Sequence, residues 1–157
     1  MFLGIAQAYF LTLVIFLRSK ASSPVRLFGW SLLFQALVCT DTYLCYSGLM
    51  KHTLHWNDSS EFLVLLIAPS IYFFTYALLE RKPIRLKKQW PHFVLPLLYP
   101  ITQIGYFLSP LSVKLNAYLD AYHPNLPMVE VPENTTYHYQ IIKDEYRWLL
   151  LLSFAFY

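Results

Sequence analysis

Residues 62–79, FLVLLIAPSIYFFTYALL, form an unbroken run without a charged side chain, and their reading decides the fold. A helix needs roughly 17–25 predominantly apolar residues to cross the hydrocarbon core of a bilayer, and this run supplies that length alone. Its two ends differ in charge. Asp58 and Glu61 precede it, whereas Arg81, Lys82, Arg85, Lys87 and Lys88 follow it. Cytoplasmic loops of membrane proteins carry the excess of Lys and Arg. The Leu79 end therefore faces the cytoplasm and the Phe62 end faces out.

The same pattern repeats on both sides of this run. Residues 1–17 and 93–113 carry no charge, and residues 27–50 carry only Asp41. Residues 148–157 open a fifth apolar stretch that is too short to cross a bilayer. The expected fold is all-α, a polytopic transmembrane bundle of four full spans plus the start of a fifth, in a chain that reads as part of a longer protein. Loop 18–26 holds Arg18, Lys20 and Arg26 with no acid, and with loop 80–91 it gathers eight of the 12 basic residues. Seven of the nine acids fall on the other side, with Lys51, Lys114, Lys143 and Arg147. The bias predicts an N-terminus outside and loops 18–26 and 80–91 in the cytoplasm. A signal peptide would place its positive charge before the apolar core. Here Arg18, Lys20 and Arg26 come after it, which predicts a retained helix. Trp30, Trp56, Trp90 and Trp148 stand at or near span ends, as an aromatic belt requires.

Composition agrees. Hydrophobic residues make up 57% and charged residues only 13% of 157, with a mean hydropathy of +0.40. A small soluble domain cannot hide that much apolar surface, because much of it must face water. Disorder, a disulfide-stapled secreted domain and a charged nucleic-acid module are excluded. The net charge of +3 follows from topology, with contact to anionic lipid as its corollary.

Pro69, Pro96, Pro100 and Pro110 lie within spans, where each bends its helix for packing or serves as a hinge. The outer loop, 114–147, begins with Leu115, Tyr118, Leu119 and Tyr122 at amphipathic helical spacing. It reads either as a lid on the bundle, opening with a helix on the outer interface, or as an irregular loop broken by Pro124, Pro127 and Pro132. Asn134, Thr135 and Thr136 match a glycosylation acceptor. His123 and His138, with Glu130 or Glu133, lack any recognised metal spacing, and Cys39 and Cys45 lie on different helix faces. No metal or cofactor is expected.

Asp41 is the costly residue, because a carboxylate at membrane depth normally faces the bundle interior or a wet cavity. At 1.5 Å per residue it lies roughly 13 Å from the outer end of its span, Gln7 roughly 9 Å deep, and Tyr72 and Gln103 roughly 15 Å deep. These four are the candidate ligand-binding residues, one polar side chain from each span in a shared layer. The competing reading makes Asp41 a hydrogen-bonding tie between helices. No protease, hydrolase, P-loop or dinucleotide motif occurs, and no enzymatic activity is expected. His92, beside Trp90 and Pro91, reads as an interfacial histidine.

Short motifs run through the chain. Gly4 to Leu11 (GIAQAYFL) leads into an apolar helix ending at Arg18. A leucine-rich second helix with an embedded acid closes on Tyr46 to Leu49 (YSGL). Ala68 to Phe74 (APSIYFF) and Trp90 to Pro96 (WPHFVLP) follow. Together they resemble the multi-helix N-terminal membrane domain of AraC-type transcriptional regulators of Bacteroidetes, over nearly the whole chain. The resemblance implies a sensor of about seven helices followed by a cytoplasmic helix-turn-helix module outside this chain. It implies a small extracytoplasmic ligand, contact with DNA only through that module, and a homodimer, since such modules often work in pairs. Two other classes compete. One is a transport or channel protein with Asp41 on the substrate path, and the other is a structural membrane subunit.

Overall fold

The computed structural model describes residues 1–81, 84, 86–132 and 139–157. Lys82 and Arg85 of the second basic loop lie outside the described residues. So do Glu133, His138 and the glycosylation match at 134–136. The fold is all-helical, with no strand among the described residues. Seven α-helices run in the order α1 Phe2–Arg18, α2 Val25–Tyr46, α3 Glu61–Glu80, α4 Pro91–Thr102, α5 Ile104–Phe107, α6 Leu111–Tyr122 and α7 Tyr139–Phe156. Two 3-10 turns, Leu49–His52 and Leu54–Trp56, link α2 to α3.

Among these, α3 is both long and apolar enough to cross a membrane, while α1 and the Tyr146–Phe156 part of α7 are apolar but shorter. Helix α2 is longer than α3 but carries Arg26, Gln35, Thr40, Asp41 and Thr42. Helix α3 is the central element, packing against α2, α4 and α7, while α1 packs on α2.

Local chemistry explains where the helices start and stop. Helix α1 ends with Arg18 in its last turn, where a cation suits the negative end of the dipole. Helix α2 stops at Tyr46, short of the expected end at Met50. Gly48 follows in the left-handed region (φ 77°) and turns Leu49 and Met50 into the first 3-10 turn. Helix α3 has Glu61 in its first turn, at the positive end of its dipole. The uncharged stretch 93–113 is not one helix. Pro96 and Pro100 each delete a backbone donor, and the chain breaks at Gln103 into α4 and the single turn α5. Pro110 then starts α6. Helix α4 alone is about 18 Å long at 1.5 Å per residue, shorter than a hydrocarbon core.

Polar side chains inside the helices bond to their own backbones. Thr40 donates to the Ala36 carbonyl at 2.7 Å, Thr42 to Val38 at 3.0 Å and Ser70 to Leu66 at 2.7 Å. The Tyr9 and Thr40 hydroxyls, 3.1 Å apart, tie α1 to α2. Closer to the basic end these two helices approach at Gly29. A Cβ there would lie 2.8 Å from Ile15 Cγ2 and 3.0 Å from Phe16 Cε1, so the glycine sets the separation. Gly29→Val is therefore expected to cost about 1–3 kcal/mol through overpacking, read as a lower unfolding midpoint in detergent. An unchanged midpoint would mean that the two helices do not pack here.

The amphipathic spacing at 115–122 does form a helix, but α6 does not lie flat with its apolar face on lipid. Tyr118 and Leu119 are buried against Cys45 and Met50, so α6 caps the end of α2 and its following turns. The Tyr118 hydroxyl lies 3.2 Å from the Cys45 carbonyl and 2.7 Å from His123 Nε2. Asn116 makes two 2.8 Å hydrogen bonds with the Val129 backbone and pins the extended segment that follows α6.

Candidate functional site

The acidic end of the bundle holds a network assembled from five parts of the chain. Asp58, Ser59, Ser60 and Glu61 form a polar run immediately before the apolar body of α3. Asp58 occupies the left-handed region (φ 58°), a conformation aspartate tolerates better than most residues, and this swings the chain from the 3-10 turns into α3. Ser60 then donates to Asp41 Oδ2 of α2 at 2.5 Å. The other carboxylate oxygen, Oδ1, is buried and accepts no hydrogen bond.

Asn57 is the hub. It is 1% exposed, and its side-chain nitrogen donates both to Asp58 Oδ2 at 2.8 Å and to the Tyr106 hydroxyl of α5 at 2.7 Å. Tyr106 in turn hydrogen-bonds the Asp58 carboxylate. Asn57 Oδ1 is buried without a donor. Glu61 is held twice. Its carboxylate accepts from the Tyr99 hydroxyl of α4, and its carbonyl accepts from the Tyr146 hydroxyl of α7 at 2.7 Å. The Tyr99 and Tyr146 rings lie 5.0 Å apart. Three carboxylates, Asp41, Asp58 and Glu61, thus share a region fenced by tyrosine hydroxyls.

Helix α6 closes one side. Burial pushes the Tyr122 phenol up, with the Cys45 thiol beside it adding to the shift. Lys114 is buried and donates to the Phe107 carbonyl at 2.7 Å. Burial holds its ammonium group below the ordinary lysine range. Chemically, the region is rich in acceptors and holds two buried acceptor oxygens without donors, so it suits a hydrogen-bond donor or a cation. Among the described residues, no group of His, Cys, Asp and Glu has the arrangement to hold a metal ion.

The four residues read as a shared layer are placed differently. Asp41 and Gln103 are buried, Gln103 at the break between α4 and α5. Gln7 is exposed on α1. Tyr72 follows Ser60 by 12 residues, about 18 Å of helix. It belongs to another group, with its ring against Tyr76, His92 and Tyr157. His92 is not simply interfacial either. Its Nδ1 lies 3.0 Å from the Tyr157 hydroxyl, and its ring meets Phe73 edge-on. This group borders a cleft of about 360 Å³ lined by Leu65, Leu95, Pro96, Leu152 and Ser153.

Asn57, Ser60, Tyr99, Tyr106 and Tyr146 escaped the sequence reading. Two signals were present. A five-residue polar run abuts an apolar span, and Tyr99 and Tyr106 are seven residues apart, a spacing that would put them on one face of an unbroken helix. No protein-family model, curated protein or solved structure matches the chain.

Proposed function

We propose that the chain is the membrane-embedded sensory part of a transcription regulator. Its N-terminus lies outside a bacterial inner membrane, and its basic loops lie in the cytoplasm. One observation supports the membrane part of this reading: the bundle exposes many large apolar side chains while burying several polar ones beside its apolar core. Large apolar side chains point outward on α1, α3, α4 and α7, including Phe2, Leu17, Leu79, Leu97 and Phe156, all more than 60% exposed. Thr12, Ser31, Asp41, Ser70, Gln103 and Ser153 are drawn inside. Soluble monomers rarely show contiguous apolar surface on this scale, whereas lipid is the natural solvent for it.

The sensory part rests on the resemblance of the motifs and on the network at the acidic end. That network joins α2, α3, α4, α5 and α7 through side chains. A small polar ligand that satisfies the orphaned oxygens of Asp41 and Asn57 would favour one packing of these helices over another, as any ligand-driven switch requires. The shift would reach the cytoplasmic helix-turn-helix module through the helices that follow.

Reporter fusions test the topology. Green fluorescent protein joined after Lys88 is expected to fluoresce, and alkaline phosphatase joined after Tyr122 is expected to be active. Phosphatase activity after Lys88, or recovery of the polypeptide as a stable monomer in detergent-free buffer, would end this reading.

A further inference from the structure

The two basic loops meet at one cleft. A cavity of about 260 Å³ opens between the α1–α2 loop and the end of α3, lined on one side by Ser22, Ser23, Arg26 and Trp30 and on the other by Ala77 and Ile84. The first loop carries three cations, Arg18, Lys20 and Arg26, and no acid. The Arg26 guanidinium lies 5.4 Å over the Phe16 ring, which leaves its N–H edge available to a ligand.

The hydroxyls are also available. Ser23 Oγ accepts the Val25 N–H at 3.4 Å, so its own proton remains free to donate. The first amides of α2 take no part. Arg26 N–H and Leu27 N–H already bond back to the Ser23 and Pro24 carbonyls. The donors are therefore one arginine fork and two serine hydroxyls, a set that matches the oxygens of a phosphate group. The rest of the wall is apolar. Trp30, 46% exposed, packs 5.1 Å from Phe16 at the cleft rim, as an aromatic anchor does at a membrane boundary.

We infer that this cleft binds the phosphate of an anionic glycerophospholipid of the cytoplasmic leaflet, with Arg26 and the two serines on the phosphate oxygens and the glycerol end against Ala77 and Trp30. The assignment rests on the membrane reading above. A free phosphoester would satisfy the same three donors. It would leave the apolar wall unused, which is why the lipid is the assigned source. A seated lipid joins the α1–α2 hairpin to the cytoplasmic end of α3, and the charge of the leaflet then biases how those helices pack.

Native mass spectrometry of the full chain in detergent tests this, with phosphatidylglycerol, phosphatidylcholine and glycerol phosphate as probes. The phosphatidylglycerol adduct is expected to exceed the phosphatidylcholine adduct about tenfold. It should fall about tenfold in Arg26→Gln and in the Ser22→Ala/Ser23→Ala double variant, the scale of one lost charge-assisted contact. Lys51→Gln, a cation removed from the opposite end, should leave it unchanged. Full retention in Arg26→Gln and the serine variant, or an equal loss in Lys51→Gln, overturns the site. Displacement of the lipid by glycerol phosphate at matched concentration overturns the lipid as its occupant. Failure of the membrane reading is separately visible as a chain that needs no detergent, and the glycerol phosphate arm still reads the cleft in that case.

Discussion

Asn57→Leu is expected to lower stability by about 1–3.5 kcal/mol, because both hydrogen bonds donated by its amide are lost. The substitution keeps nearly the same volume but deletes both donors. The Tyr106 hydroxyl loses its donor at 2.7 Å, and the Asp58 carboxylate loses one at 2.8 Å. A hydrogen bond to a charged group contributes about 1.5–3 kcal/mol and a neutral one about 0.5–1.5 kcal/mol. Against that loss, leucine also removes Asn57 Oδ1, a buried acceptor without a donor, which returns roughly 1 kcal/mol. The measurement is the thermal unfolding midpoint in detergent, with Asn125→Leu at an exposed position as control. Equal midpoints for the two variants would mean that Asn57 does not hold the turn to α5.

Asn57→Asp sharpens the test. It places a second carboxylate beside Asp58, and like charges disfavour the ionised pair. In this variant the native state takes up protons more readily than the unfolded chain does. Stability should therefore be lowest near neutral pH, and the gap to the wild type should narrow as the pH falls towards the carboxylate range. A gap independent of pH would point to a steric cause.

Those donors span 49 residues of sequence, and that separation explains what could and could not be read beforehand. The charge-free run at 62–79 is legible because length and hydropathy are local properties. The same holds for α1, which runs to its terminal Arg18. Depth is countable only from the end of each run, which assigns Gln7, Asp41, Tyr72 and Gln103 a common layer, but the stagger between helices is not countable from one sequence. Asp41 bonds Ser60 at the start of α3, about 18 Å of helix from Tyr72, which turns to His92 instead. Azimuth is not countable either, because a residue turns 100° from its neighbour and only packing decides which face meets the bundle, and Gln7 is exposed for that reason. The break in 93–113 was signalled by Pro96, Pro100 and Pro110. Hydropathy alone joined the pieces because none of them carries a charge. The Tyr99–Glu61 and Tyr146–Glu61 contacts depend on three helices converging, which no single-span periodicity records.

Under the proposed sensory function, Asp41→Leu is expected to abolish the regulatory response while leaving the fold intact, and comparison with Ser60→Ala separates a ligand group from a structural tie. Asp41 makes one side-chain hydrogen bond, to Ser60, and buries its second oxygen without a partner. Leucine removes the desolvation cost of the carboxylate but leaves the buried Ser60 hydroxyl without its acceptor, so the expected loss is about 1–2 kcal/mol. A pure tie between helices would make Ser60→Ala, which breaks the same bond from the other side, lose the response as well. Transcript profiles of cells carrying the wild type, Asp41→Leu, Asp41→Asn, Ser60→Ala or no copy give the functional reading. Asp41→Leu should match the strain without the gene, whereas Ser60→Ala should keep the wild-type profile. Asp41→Asn preserves an acceptor for Ser60 but removes the charge, so it should also lose the response if the carboxylate meets a cationic group. A wild-type profile from Asp41→Leu would remove Asp41 from the signal path and return it to the role of a helix contact. A wild-type profile from Asp41→Asn alone would keep the site but make its ligand a neutral hydrogen-bond donor.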